Sequence, residues 1–152
     1  MFRLCEILLD ERRYEVIAYV VHHLDSALKS DIGESERKAG VPKRSELIRG
    51  GLDILDKVCI ERYGTTFAGL EESEQNQLVK QWMTKNINLP AGSSSFPITE
   101  FMNKILNESV AAYYSHPSIW SEIGYAGPAY PRGYVRSEFG LTDPWEARRD
   151  GK

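Results

Sequence analysis

Several residue types and sequence patterns are scarce in this chain of 152 residues, and each scarcity excludes a class of protein. The two cysteines, Cys5 and Cys59, lie far apart without a CxxC spacing, so they cannot by themselves build a zinc or iron–sulfur site. No apolar run approaches the roughly 20 residues that a membrane-spanning helix needs. The formal net charge of −3 gives no electrostatic case for binding nucleic acid.

The sequence leaves the state of the two cysteines open. Cys59 falls within the apolar pattern of a predicted helix, which favours a buried free thiol. A disulfide with Cys5 would require an oxidising compartment and close approach of the two residues.

Motifs for catalysis or cofactor binding are also missing from the sequence. We find no GxGxxG, P-loop, HExxH or paired Glu-x-x-His pattern, and no histidine beside a recognised nucleophile motif. His22 and His23 are adjacent, so on a helix they point about 100° apart and cannot easily share a metal ion. We therefore predict that this chain has no catalytic, cofactor-binding or metal-binding residues of its own.

Arg12 and Arg13 precede a short apolar run, which faintly suggests a twin-arginine export leader. Acidic residues surround the pair, and no small-residue cleavage site follows. We therefore expect no cleaved signal peptide. The predicted location is the cytoplasm, or the periplasm if the chain is exported together with a partner.

Apolar residues recur at steps of three and four, which predicts an all-α fold, a small bundle of about four helices. The predicted helices cover 11–29, 46–63, a segment that begins at Ser73, and 98–115. Asp10, Ser45 and Thr99 are their candidate N-caps, and Gly64 is the expected stop of the second helix.

Two further features of the bundle are predicted. Gly50 and Gly51 lie inside the second helix, where each costs about 1 kcal/mol relative to alanine. We expect another helix or another stretch of backbone to approach closely there and to compensate for this cost. Phe67 and Leu70, in a turn between helices, are expected to fill the core.

The C-terminal quarter is the most informative part of the sequence. The chain has three Trp, eight Tyr and five Phe, and eight of these sixteen aromatics lie within 113–145, among four prolines and four glycines. Proline and glycine at this density interrupt helices, whereas aromatic rings seek burial. We therefore predict a helical domain over 1–116 and a long, irregular but ordered tail over 117–152, with its rings buried either in the chain's own core or on the surface of a partner.

Two residues of this quarter have alternative interpretations. His116 is either a helix-end histidine that satisfies terminal carbonyls, which we favour, or a ligand or catalytic base. Arg132, between Tyr130 and Tyr134, is either an anchor of an interface or a surface arginine stacked on its own tyrosines. The sequence does not decide between the two for Arg132.

The chain resembles the gluconate 2-dehydrogenase subunit 3 family over roughly 10–136. Three blocks carry the resemblance, the last being the most specific. They are Lys38-Ala39-Gly40-Val41; the segments 51–53, 62–64, 67–70 and 74–75; and Tyr113-Tyr114-Ser115-His116-Pro117 with 123–128 and Tyr130-Pro131-Arg132-Gly133-Tyr134.

The resemblance implies a non-catalytic small subunit of an FAD-dependent dehydrogenase of the glucose–methanol–choline (GMC) type. The large subunit would carry the FAD and oxidise a sugar, sugar acid or glucoside, in some members at the 3-hydroxyl of a glucoside. A cytochrome c subunit or another acceptor would take the electrons. The small subunit would stabilise the large one or aid its maturation. We predict that it binds the large subunit through Trp120, Tyr125, Tyr130, Arg132 and Tyr134.

Two other functions compete with this interpretation. One is a stand-alone sugar-binding protein or enzyme that uses His116 and the tail tyrosines. The other is a chaperone that binds a nascent partner and then leaves it. The sequence does not distinguish gluconate, glucose, glucoside or other polyol substrates, because the selecting pocket would lie mostly in the partner.

Overall fold

The structure, a computed structural model, describes residues 1–29, 40–84, 89–90, 92–93 and 95–125. These residues form six α-helices and one 3₁₀ turn, and no strand occurs among them. The predicted all-α bundle is therefore confirmed. The elements are α1 (Phe2–Leu9), α2 (Tyr14–Lys29), α3 (Arg44–Tyr63), the 3₁₀ turn (Phe67–Gly69), α4 (Glu72–Met83), α5 (Ile98–Tyr113) and α6 (Pro117–Ile123).

Helix α1 was not predicted, and its presence corrects the role given to Asp10. Asp10 adopts a left-handed conformation (φ 49°, ψ 43°) and ends α1, so it does not cap the start of α2. Aspartate tolerates this region better than most residues. The start of α2 instead depends on Glu11, whose carboxylate accepts the backbone N–H groups of Arg12 and Arg13, both at 2.9 Å.

Helix α3 confirms the expectation of a close approach at the glycine pair. A Cβ atom built on Gly51 would lie 2.1 Å from Cδ2 of Phe101, which is fully buried on α5. The phenyl ring therefore occupies the space that any larger residue at 51 would need. Helix α3 starts at Arg44 after Lys43, rather than after Ser45, and it ends as predicted at Gly64 in the left-handed region (φ 74°).

The turn after α3 is fixed by a buried amide. Phe67 and Leu70 are buried in the core, as predicted. The Gln75 side chain on α4 is 1% exposed; its Nε2 donates to the Phe67 carbonyl at 2.8 Å, and its Oε1 accepts from Arg3 Nε at 3.2 Å. Gln75 thus joins the 3₁₀ turn, α4 and α1.

Helix α5 is the central element, since it packs against α1, α2, α3 and α4. Its N-cap is Pro97 rather than the predicted Thr99. The helix ends at Tyr113, and the chain turns directly into α6. The start of the tail, predicted to be irregular, is therefore helical over Pro117–Ile123. The division into a domain over 1–116 and a docking tail over 117–152 stays a prediction, because residues 126–152 lie outside the described residues.

The buried residues form two clusters, and each contains one cysteine. Cys59 lies in the larger cluster with residues of α1, α3, α4 and α5, whereas Cys5 packs with Ile17, Val20, Leu24 and Ala112. Both cysteines are free and buried, so the free-thiol alternative holds. Burial raises the pKa of Cys59 to about 11 and also raises that of Cys5.

Among the described residues, no helix is long and apolar enough to cross a membrane.

Candidate docking surface

The junction of α5 and α6 carries a group of exposed aromatic and apolar side chains. Tyr114 is 51% exposed, Ile123 57% and Tyr125 42%. Large apolar side chains that remain exposed together are typical of interaction sites. We call this group, with its neighbours, the α5–α6 aromatic surface; its members are Tyr19, Tyr114, His116, Trp120, Ile123 and Tyr125.

Trp120 is the fixed centre of this surface. Its indole Nε1 donates a hydrogen bond to the Tyr114 carbonyl at 2.6 Å, and its ring meets that of Tyr125 edge-on, with centroids 5.7 Å apart. The Tyr125 N–H in turn donates to the Trp120 carbonyl at 2.8 Å, across Gly124 in its left-handed conformation (φ 72°). The rings are therefore held in place before any partner binds.

His116 connects this surface to α2. His116 is the N-cap of α6, and its Nδ1 accepts a hydrogen bond from the N–H of Ser118 at 3.2 Å. Pro117 follows it in the first turn of the helix, a position that suits proline. The His116 ring meets Tyr19 edge-on, with centroids 5.0 Å apart. The favoured interpretation of His116, a donor to carbonyls at a helix end, was therefore wrong. The sequence His-Pro closes one helix and also opens the next.

An ion cluster fixes α6 against the start of α2. The Arg13 guanidinium binds Glu11 and also Glu122 on α6. Arg13 NH2 lies 2.6 Å from Glu11 Oε2 and 3.3 Å from Glu122 Oε2. The Tyr113 hydroxyl also lies 3.4 Å from Glu11 Oε2. The cluster therefore joins α2, α5 and α6 beneath the aromatic surface.

Glu11 is strongly stabilised as a carboxylate. The hydrogen bonds from the Arg13 side chain, together with those from the backbone of Arg13 and Arg12, lower the pKa of Glu11 to about 2, although burial acts in the opposite direction. Arg12 pairs with Glu72 on α4. Both members of the arginine pair thus bind carboxylates within the fold.

A cleft of about 320 Å³ lies between α1, α3 and the 3₁₀ turn. Two charged side chains that line it bind groups within the fold: Arg3 binds Gln75 and Glu6, while Asp56 Oδ1 accepts the Phe67 N–H at 2.9 Å. No group of three potential metal ligands is present in the described part of the chain.

The structure brings together some of the predicted anchors. Trp120 and Tyr125 are in ring contact on the surface, whereas Tyr130, Arg132 and Tyr134 lie outside the described residues. The role of all of them in binding a partner stays a prediction. Tyr19, Tyr114 and Ile123 were not predicted as members. The spacing of Tyr114, Trp120 and Ile123 in the sequence indicates a shared surface only when residues 117–123 are known to form helix α6.

The fold and this surface define a small helical protein suited to docking on another protein. Residues 2–127 match the sequence model of the family described as gluconate 2-dehydrogenase subunit 3. The chain therefore belongs to this family. Family membership indicates an accessory subunit of a dehydrogenase complex. No curated protein and no solved structure matches the chain.

Proposed function

We propose that this chain is the non-catalytic small subunit of an FAD-dependent dehydrogenase of the GMC type, and that it stabilises the large flavoprotein subunit or aids its maturation. The FAD belongs to the large subunit, which oxidises a sugar, sugar acid or glucoside. A cytochrome c subunit or another acceptor receives the electrons. The observation that carries this proposal is the family match over residues 2–127.

The structure supports a role in binding another protein. Tyr114 and Tyr125 expose apolar area, and their rings contact those of Tyr113 and of the half-buried Trp120, whose indole N–H is held by the Tyr114 carbonyl. Tryptophan and tyrosine dominate the energetics of protein interfaces, and rings that are already ordered lose little entropy on binding. If this chain binds only the folded form of the large subunit, its binding shifts the folding equilibrium of the large subunit towards the folded state.

The alternative, a sugar-binding protein or enzyme that uses His116, has less support. His116 Nδ1 accepts a backbone hydrogen bond at the start of α6. A neutral imidazole whose Nδ1 accepts must carry its proton on Nε2, so it cannot take up a proton there as a general base. If Nδ1 took up the proton instead, it could no longer accept the Ser118 N–H, and α6 would lose its N-cap hydrogen bond.

The proposal is tested by expressing the large flavoprotein encoded beside this gene, with and without this chain. We expect the soluble, flavin-containing large subunit to increase several-fold when the chain is present. Equal yield, flavin content and thermal stability in both cases would contradict the stabilising role. Turnover of sugars by the isolated chain without flavin would favour the alternative.

A further inference from the structure

We infer that the α5–α6 aromatic surface is itself part of the interface with the large dehydrogenase subunit, so that the helical body docks directly and the tail is not the sole contact. This inference rests on the proposed function. It extends the binding site beyond the predicted tail anchors to three further residues. These are Tyr19 on α2, Tyr114 directly after α5, and Ile123 at the end of α6.

The first argument is the chemistry of the surface. Tyr114 and Tyr125 expose about half of their area, and their hydroxyls form no hydrogen bond with any described residue. The Trp120 indole N–H is already bound to the Tyr114 carbonyl, so this ring offers apolar area alone. A matching partner surface is an apolar concavity whose rim carries hydrogen-bond acceptors for the tyrosine hydroxyls.

The second argument is the charge at the edge of the surface. Glu122 lies two positions after Trp120 on α6, and its carboxylate is paired with Arg13, which also binds Glu11. Covering a paired carboxylate costs less desolvation free energy than covering an isolated one. An aromatic centre with a polar edge that is already paired has the composition of an interface core and rim.

The third argument identifies the occupant. The surface ends at Tyr125, and the predicted anchors Tyr130, Arg132 and Tyr134 follow in the remaining 27 residues, 126–152. Five residues of chain span at most roughly 18 Å, even when fully extended. If Tyr130 contacts the large subunit, Tyr125 must therefore lie within that distance of the same subunit. This limit places the surface at Tyr125 next to a partner that binds the tail, and the large subunit is therefore the occupant we infer.

The size of a stable interface points the same way. A standard interface uses roughly 20 to 30 residues on each side. The α5–α6 aromatic surface alone is smaller than this. A stable complex therefore needs contacts beyond the six members of this surface, which a large partner that also binds the predicted anchors Tyr130, Arg132 and Tyr134 would supply.

The test compares matched substitutions in the full chain, each co-expressed with the large subunit. Tyr114→Ser and Ile123→Glu alter the surface. Tyr63→Ser and Ile60→Glu make the same changes on α3, at residues that are 38% and 52% exposed. Because all four side chains are at least one-third exposed, circular dichroism and thermal unfolding should show intact folds.

The readout is the large subunit retained on the tagged chain through a dilution series, from which an apparent Kd is obtained. We expect the two surface variants to bind at least roughly tenfold more weakly than the unmodified chain, and the α3 variants to bind like it. Equal binding by all four variants would overturn the inference and leave the proposed function intact. Equal loss in all four would overturn it as well.

Two further outcomes separate the inference from the proposal beneath it. If the unmodified chain retains no large subunit, the proposed function fails and the inference fails with it. If the unmodified chain is a dimer that Tyr114→Ser converts to a monomer, with binding to the large subunit unchanged, a second copy is the occupant. The inference is then wrong while the proposed function stands.

Discussion

Arg13 and Glu122 are 109 positions apart in the sequence, and their side chains form an ion pair that fixes α6 against the start of α2. The same guanidinium binds Glu11, so one residue holds two carboxylates. Because α6 carries Trp120 and Ile123, this pair helps to position these two members of the aromatic surface. The link between the N-terminal helices and the surface is therefore electrostatic as well as apolar.

Replacing Arg13 should destabilise the fold more than replacing Arg12. Arg13→Gln leaves the buried carboxylate of Glu11 without its main partner, which costs about 1–3 kcal/mol. Arg12→Gln breaks a solvent-exposed pair with Glu72, which water screens strongly, so the loss of stability should be smaller. Urea unfolding of the two variants measures the difference. Equal stabilities would show that the Arg13 cluster contributes no more than a surface pair.

The stability of the chain should depend on pH through Glu11. Its pKa in the folded state is lowered from 4.5 to about 2, so the folded state stabilises the ionised form. The contribution is fully present above about pH 4.5 and is lost as the pH falls towards about 2. Unfolding midpoints across this range should fall less steeply for Glu11→Gln than for the unmodified chain. Parallel curves would exclude Glu11 as the titrating group.

The two glycines of α3 should respond differently to alanine. Gly51→Ala places its Cβ against the buried ring of Phe101 and should cost about 1–3 kcal/mol or more. The Cβ of Gly50→Ala would lie 3.0 Å from Cε2 of Phe96, which is half-buried. The helix-propensity gain of about 1 kcal/mol should offset this tighter contact. Thermal unfolding of both variants measures the contrast; a neutral Gly51→Ala would contradict the packing described here.

Gln75 should be more important for stability than its neighbour Gln77 on α4. Gln75→Ala removes a buried donor to the Phe67 carbonyl, which keeps only the Leu70 N–H at 3.3 Å, and it also removes one partner of the Arg3 guanidinium, which keeps Glu6. Each lost hydrogen bond should cost about 0.5–1.5 kcal/mol. Gln77 is exposed, so Gln77→Ala should change the free energy of unfolding by no more than about 0.5 kcal/mol. Chemical denaturation of the pair tests this; similar effects would exclude a special role for the buried amide.

The sequence was sufficient to predict helices with strong apolar periodicity. The segments that became α2, α3, α4 and α5 were all recognised, as was the glycine stop at Gly64. The details of packing were less accessible. Apolar periodicity does not show which apolar side chains stay exposed: Tyr14, at the start of α2, is 73% exposed, and its ring lies 5.4 Å from that of Phe2 at an interplanar angle of 31°. Met83, at the end of α4, is 42% exposed.

The two short helices were missed for separate physical reasons. In α1, Met1, Leu4, Cys5 and Leu8 recur at helical spacing, but Asp10 was interpreted as a start signal for α2. Aspartate suits an N-cap as well as the left-handed position after a helix, so local chemistry alone could not decide. In α6, Pro117 was interpreted as the end of α5, although proline also favours the first turn of a new helix.

The candidate surface depends on contacts that no local pattern contains. The aromatic density of 113–145 directed attention to Trp120 and Tyr125, and the structure joins these two rings. Tyr19 reaches the surface only through the packing of α2 against α5 and through its contact with His116. A contact between residues so far apart in sequence is decided by the tertiary fold.

The most direct test of the central claim is co-expression of the tagged chain with the large flavoprotein that we expect a neighbouring gene to encode, followed by size-exclusion chromatography monitored in the flavin absorbance band. We predict a single yellow peak that contains both chains and survives rechromatography. A lone, colourless monomer that elutes apart from a folded, flavin-loaded neighbour would contradict the proposal that this chain is an accessory subunit of that dehydrogenase.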